Sequence, residues 1–163
     1  MREPLQFFVS GHPRGQGSKR HVGGGRLVES SKDLAPWRKA IAEEARAALG
    51  ELELFSGPVR VQAVFWFQRP ASHYGTGRNA GNLKASAPRF RDSLPDVDKL
   101  ARALLDGLVI GGVLRDDRLV VQLWAEKLYG LPGVLVEVSE ATGGVLPKPK
   151  EGSSGLTRQA TGQ

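Results

Sequence analysis

Five aspartates stand close together between Leu94 and Val121, in a chain that is otherwise basic. Two of them, Asp96 and Asp98, form an Asp-x-Asp pair directly after a proline. On one continuous helix their side chains would point about 200° apart, at ~100° per residue, and could not share a ligand. They converge if Asp96 precedes the helix and Asp98 lies in its first turn, and Pro95 favours such a break because the residue before a proline avoids helical geometry. Acidic residues that cap a helix produce the same pattern, and spacing alone weighs the two interpretations about equally.

A second acidic feature is the adjacent pair Asp116-Asp117. Aspartate is a common turn residue, and a turn before a strand is one interpretation. In the other, the pair comes back alongside the preceding helix, which spacing does not show. Carboxylates gathered in this way would raise one another's pKa unless a cation intervenes. Oxygen ligands without cysteine or clustered histidine favour Mg²⁺ or Mn²⁺ over zinc.

Composition narrows the class of protein. The chain has 163 residues, enough for one domain with a sizeable core, and a net charge of +6, which is common among nucleic-acid-binding proteins. It has no cysteine, which excludes disulfides, zinc–cysteine sites and thiol catalysis. It has no apolar run of membrane-spanning length, and its first residues lack the order of a signal peptide.

The residues that could do chemistry must be positioned by alternating strands and helices. Hydrophobic periodicity predicts strands at Pro4–Ser10, Val59–Gln68, Leu119–Leu128 and Val134–Val138, and helices at Asp33–Leu49, with Asp33 as N-cap, and Asp96–Val109. Loops are predicted at 11–31 and 71–94. This order indicates an α+β fold, a mixed β-sheet packed with two main helices. We predict one domain over residues 1–139, and a disordered tail over 140–163 because that segment is rich in Gly, Ser, Thr, Lys and Pro.

The two predicted loops carry most of the candidate phosphate contacts. They are His12, Arg14, Lys19, Arg20, His21 and Arg26 in the first loop, and Arg69, Arg78, Lys84, Arg89 and Arg91 in the second. Tyr74 and Phe90 could stack on exposed bases, although loop aromatics more often pack on the domain. A solvated, flexible loop is an equally good interpretation for any single residue. The glycines of the first loop do not match a phosphate-binding P-loop.

Two further charged residues fall at informative positions. Lys127 is in phase with the apolar face of its predicted strand, so it either extends to solvent at the sheet edge or points into a site. Asp106 follows Asp98 and Arg102 at four-residue steps, and we assign it mainly to pairing with Arg102. The three histidines show no ligand spacing.

The segments PDVDKLARALLDGL, LRDDRLVV and the later lysine, together with GHPRGQGSKR near the start, resemble the RusA family of Holliday junction resolvases. The resemblance covers about residues 5–138. It implies that Asp96, Asp98 and Asp117 bind the metal and are catalytic, with Arg102 and Lys127 as catalytic cations. It also implies Lys99 as a DNA contact, beside Arg14, Lys19, Arg20, Arg78, Lys84, Arg89 and Arg91. The chain departs from the family at Lys99, where many members have asparagine, and at Arg102, where they have lysine.

The resemblance implies a Mg²⁺-dependent endodeoxyribonuclease, with Mn²⁺ as a substitute, that resolves four-way DNA junctions by paired symmetric nicks in recombination and repair. It would act in the cytoplasm of a bacterium or a phage-infected host. Because a junction has two-fold character, we expect a homodimer, and we place its interface around Val64, Trp66 and Trp124. The alternatives are another metal-dependent phosphoesterase, and a non-catalytic nucleic-acid-binding protein whose aspartates are only caps and turns.

Overall fold

A computed structural model describes residues 2–17, 20–21, 23–24, 27–28 and 32–143. Several predicted features lie outside the described residues: Lys19 and Arg26, the side chains of Arg20 and His21, and the predicted tail from residue 144 onward. Neither long helix in the described ranges has the length and apolar run needed to span a bilayer.

A mixed four-stranded sheet forms the centre of the fold. Its strands are β1 (Leu5–Ser10), β4 (Val59–Phe67), β5 (Val120–Tyr129) and β6 (Gly133–Glu140), in the order β1-β6-β4-β5. The β4–β5 pair is parallel, and β6 runs antiparallel to both β1 and β4. The predicted α+β class is therefore confirmed, with strand ends within two residues of the prediction.

Two helices, α1 (Leu34–Leu49) and α2 (Val97–Ile110), pack against one face of this sheet. Alternation in β4 explains why: every second residue from Val59 to Phe67 is buried against the helices, while the residues between them are only half-buried. The apolar stripes of α1 and α2 are buried in the same core, which includes Ile41 of α1 and Leu104 of α2. The opposite face of the sheet, which carries Phe8 and Leu135, has no helix over it in the described part of the chain.

Two local predictions were incomplete. The first predicted loop contains a short antiparallel ladder, β2 (Arg20–His21) with β3 (Leu27–Val28). Asp33 stands at the N-cap position of α1, but its side chain makes no capping hydrogen bond and instead pairs with Arg14 at 3.4 Å. At the other end of the described chain, β6 ends at Glu140 and the Ala141 N–H donates to the Pro58 carbonyl.

The two helices approach so closely at Gly107 that no side chain fits between them. A Cβ atom there would lie 2.5 Å from Ile41 Cγ2 and 2.8 Å from Ile41 Cβ. Glycine is therefore required by helix packing, although it weakens the helix itself.

We expect Gly107→Ala to lower the free energy of unfolding in a urea titration. Alanine alone would strengthen a helix interior by about 1 kcal/mol relative to glycine. Overpacking against Ile41 should outweigh that gain, because inserted methyl groups in tight cores cost about 1–3 kcal/mol. The control Ala47→Gly, on the exposed side of α1, reports helix propensity alone. A more stable Gly107→Ala protein would show that α1 and α2 are not in this contact.

Candidate active site

The start of α2 has the geometry that convergence of Asp96 and Asp98 requires. Asp96 precedes the helix in extended geometry, with φ −67° and ψ 145°, and Asp98 lies in the first helical turn. The Asp96 side chain makes no capping hydrogen bond, so this residue is not the simple helix cap of the alternative interpretation. Both carboxylates stand at the surface, beside the cis peptide between Leu94 and Pro95.

Asp96 is paired with a lysine one helical turn further on. Lys99 Nζ donates to Asp96 Oδ2 at 2.8 Å. This hydrogen bond and the charge of Lys99 lower the pKa of Asp96, with a smaller lowering from the charge of Lys127. The same hydrogen bond and the Asp96 charge raise the pKa of Lys99. Asp96 is therefore an anion across the neutral range, with one of its oxygens already engaged.

Lys127 connects the edge strand β5 to this point. It lies in register with buried Phe65 on the helix-facing side of the sheet. Its Nζ donates to the carbonyl oxygens of Ser93 and Pro95, each at 2.8 Å. Of the two orientations considered for Lys127, the structure therefore has the one directed at the start of α2.

The glycine-rich loop after β1 packs on the same helix start. Gln16 N–H donates to the Lys99 carbonyl at 3.0 Å. At Gly15 a Cβ atom would lie 3.0 Å from Pro95 Cβ and 3.1 Å from Lys99 Cβ, so only glycine fits there without displacement. The loop residues 12–17 are thus held next to Asp96.

Asp116 and Asp117 have different roles in the turn before β5. Asp116 Oδ1 accepts the Arg118 N–H at 2.9 Å, which is the turn interpretation for that residue. Asp117 begins a 3-10 turn, Asp117–Leu119, and is exposed; within the described ranges its carboxylate has no hydrogen bond or ion pair. Both line a cavity of about 320 Å³ with Val109 and Ile110, at the C-terminal end of α2.

The two acidic features are therefore separated within one chain. Lys127 reaches Pro95 from near the end of β5, whereas Asp117 precedes its first residue, Val120. Lys127 lies seven residue steps beyond Val120 along the strand, a length of about 23 Å at ~3.3 Å per step. Accordingly, no group of three acidic or histidine side chains among the described residues is arranged to hold a metal ion.

The family model for the endodeoxyribonuclease RusA matches residues 10–139. The chain belongs to the RusA family. It is thus an endodeoxyribonuclease of the Holliday junction resolving type, and the match includes both acidic features and Lys127. No curated protein matches the sequence.

The helix cation expected in a RusA nuclease, Arg102, is exposed on α2 and forms no ion pair in the described part of the chain. The predicted pairing of Asp106 with Arg102 is wrong. Asp106 instead pairs with Arg38 of α1, at 3.2 Å. Four-residue spacing suggested Arg102, but α1 packs beside α2 and brings a competing cation that the spacing within one helix cannot show.

The loop cations of this RusA nuclease fall into two groups. Three of them are engaged within the protein: Arg69 stacks on Tyr129, Lys84 donates to the Ser72 carbonyl, and Arg91 lies 4.3 Å from the Phe67 ring centre and donates to the Leu94 carbonyl. Arg78 and Arg89 are exposed, and Arg89 lies over Phe90, which is itself exposed. Tyr74 is half-buried and bridges to Leu83, so it packs on its own loop.

Sequence reasoning missed the Asp96–Lys99 ion pair. Lys99 was assigned to DNA only, although an acid and a lysine three residues apart are a standard helix pair. It also missed Arg38, for which one sequence holds no signal, and the contact of Gly15 with α2.

We expect Lys99→Gln to raise the pKa of Asp96 toward its ordinary value of 3.8. Because the pKa of Asp96 is lower in the folded state, its carboxylate contributes its full stabilisation at pH values above the ordinary pKa of 3.8. This contribution to the free energy of unfolding is lost as the pH falls through the folded-state pKa. Because the pKa of Lys99 is raised in the folded state, its ammonium group contributes its full stabilisation at pH values below the ordinary pKa of 10.5. This contribution is lost as the pH rises through the folded-state pKa. An NMR titration of the Asp96 carboxyl carbon measures the shift. Lys39→Gln, which removes a cation paired with Glu43 on α1, should leave Asp96 unchanged; an equal shift in both variants would disprove the pairing.

Proposed function

We propose that this RusA-family nuclease is a Mg²⁺-dependent enzyme, with Mn²⁺ as a substitute, that resolves four-way junctions by paired symmetric nicks in DNA recombination and repair. Family membership over residues 10–139 carries the proposal. The exposed carboxylates of Asp98 and Asp117 support it, because neither has a hydrogen bond or ion pair in the described chain. The expected setting is the cytoplasm of a bacterium or of a phage-infected host.

The donor chemistry of these residues fits a hard divalent cation. Asp98, Asp117 and the second oxygen of Asp96 would hold it, and Mg²⁺ is usually bound in proteins through one or two carboxylates. When bound, the ion supplies an activated water and charge stabilisation at the phosphate. The protein's own residues do the positioning: Lys99 and Lys127 hold Asp96 in place, and Arg102, one turn beyond Asp98, offers a cation for the strand. As a planar fork, Arg102 can contact a phosphate through two donors.

A second copy of the chain would bring the separated carboxylates together. Strand β5 is the edge of the sheet, and among the described residues a neighbouring segment bridges its free side only at Leu128. Apolar side chains along it are unusually exposed, with Val121 at 59%, Leu123 at 48% and Trp124 at 49%. An exposed apolar edge strand is a template for pairing with another strand.

Pairing of two β5 strands about a two-fold axis is necessarily antiparallel. The beginning of each strand then lies opposite the end of its partner. Asp117, which precedes β5, would approach the partner's Lys127 and hence the start of the partner's α2. We therefore propose a homodimer that completes two equivalent metal sites, one for each nick. Trp124 of the predicted interface lies on this edge, while Val64 and Trp66 are half-buried further inside the sheet.

We expect Asp98→Asn and Asp117→Asn to lose nicking by several orders of magnitude while still binding a synthetic junction. Asparagine keeps the shape but removes the charge that a hard cation requires. Gel shift in EDTA measures binding, and product mapping in Mg²⁺ measures nicking. Asp116→Asn is the matched control, because it removes one negative charge at the residue before Asp117 and asparagine is also favourable in the turn. Nicking at the parental rate by both Asp98→Asn and Asp117→Asn would disprove the metal site. It would favour the alternative in which the aspartates are structural and the protein only binds nucleic acid.

Mixing the two inactive variants tests whether the sites are shared between copies. A heterodimer of Asp98→Asn and Asp117→Asn would contain one doubly altered site and one intact site. With free subunit exchange, roughly a quarter of the parental sites should recover, since half the dimers are mixed and each has one intact site. The products should be single nicks. No recovery, in a mixture shown to exchange subunits, would place all three aspartates of a site in one copy.

We expect Leu123→Lys to convert a dimer, measured by light scattering, into a monomer without nicking activity, because a charge blocks edge pairing. Leu135→Lys is the control on the open face of the sheet, where Leu135 is 42% exposed. Dissociation by Leu135→Lys alone would move the interface from the edge to that face.

A further inference from the structure

A cavity beside the start of α2 is lined by three residues that can donate to an anion. It has a volume of about 370 Å³, and its polar wall includes His12, Arg14 and Arg91. Pro95, which directly precedes Asp96, closes one side, and the remaining walls are Pro13, Phe67, Gln68 and Leu94. Among the described residues no acidic side chain lines it, although Asp96 is the next residue along the chain.

Arg91 is held in place by an aromatic ring and by one hydrogen bond. Its guanidinium lies 4.3 Å from the Phe67 ring centre and one terminal nitrogen donates to the Leu94 carbonyl at 2.6 Å. Its Nε is shielded from solvent and has no hydrogen-bond partner in the described structure. A shielded donor without a partner is costly. Arg91 lines the cavity, and its guanidinium has further N–H donors besides the one that bonds Leu94.

Arg14 and His12 supply the other side of the cavity. Within the described residues Arg14 makes one ion pair, with Asp33 at 3.4 Å, and its side chain is 44% exposed, so its other donors remain accessible. His12 is exposed. The loop that carries both is fixed on α2 through Gly15 and Gln16, so the cavity wall does not depend on a loose segment.

We propose that this cavity binds a backbone phosphate of the DNA strand, next to the phosphate that is cut. Arginine forks match phosphate oxygens, and a fixed guanidinium loses little freedom on binding. Because Leu94 and Pro95 form the wall and Asp96 follows them, a phosphate held here sets the position of the strand along the carboxylates. His12, Arg14 and Arg91 act as positioning residues. The inference rests on the proposed nuclease function and specifies how its substrate is held.

The experiment pairs neutral backbone links with neutral side chains. Junctions carrying a single uncharged methylphosphonate, moved one position at a time around the nicked bond, are bound in EDTA to the parent protein. We expect one position beside that bond to lose roughly tenfold in affinity, the size of one charge-assisted contact. With the His12→Gln/Arg14→Gln variant, the same substitution should cost clearly less, because two of the three residues that contact the phosphate have lost their basic side chains.

Lys39→Gln is the matched control, since it also removes a surface cation but lies on α1 away from the cavity. It should keep the full methylphosphonate penalty. An equal loss of the penalty in Lys39→Gln, or no position that couples to His12 and Arg14, would overturn the phosphate site. Competition by inorganic phosphate that depends on Arg14, without coupling to any DNA position, would assign the cavity to a free ion and also overturn it.

Nicking is measured separately, so the two proposals fail in different ways. A parent protein that nicks the junction in Mg²⁺ but shows no coupled position retains the nuclease function and loses the cavity. If the parent protein shows the coupled position but does not nick the junction, the cavity is a DNA contact and the proposed nuclease function is wrong. Arg91→Lys adds a third variant: it keeps the charge and removes the Nε donor, so it should reproduce part of the tenfold loss if Arg91 contacts that phosphate.

Discussion

The ammonium of Lys127 connects the edge of the sheet to the residues that lead into α2. Lys127 Nζ donates one hydrogen bond to the Ser93 carbonyl and one to the Pro95 carbonyl. Hydrogen bonds to charged groups contribute about 1.5–3 kcal/mol each in typical cases. Because the cation comes from β5 and the carbonyls from the loop before α2, the strand and the helix start keep a fixed relation. Asp96, the loop of residues 12–17 and the cavity at Arg91 all lie beside this contact between β5 and the start of α2.

The distance between the acidic features has an electrostatic consequence for the free chain. Charges separated by well over the Debye length of ~8 Å at physiological ionic strength hardly influence each other in solvent. Asp117 and Asp98, at opposite ends of α2, therefore repel each other little in the free chain. The Lys99 contact lowers the pKa of Asp96 further. A dimer would bring these anions together only at the interface, where a bound cation can offset their repulsion.

Sequence patterns predicted the features that depend on local periodicity. The alternation of β4 and the stripe of α2 located both elements, and the proline before Asp96 placed the helix start correctly. The partners of long charged side chains were not predictable in the same way. Arg38 takes Asp106 because two helices pack together, and Arg91 lies on Phe67 because a loop folds back onto a strand. Such pairings depend on tertiary contacts between segments far apart in sequence, and one sequence gives no signal for them.

The position of β6 constrains how the chain can assemble during synthesis. β6 is the last strand along the described chain, yet it lies between β1 and β4, pairing Val138 with Leu5 and with Val61. Until residues 133–140 leave the ribosome, β1 has no neighbour in the sheet and the core beneath it stays open. Contacts of such long sequence separation slow folding, because the loop entropy is lost before the pairing energy is gained. The complete four-stranded sheet therefore forms only after residue 140 has been made, so the side chains proposed for the nuclease site have no finished support before that point.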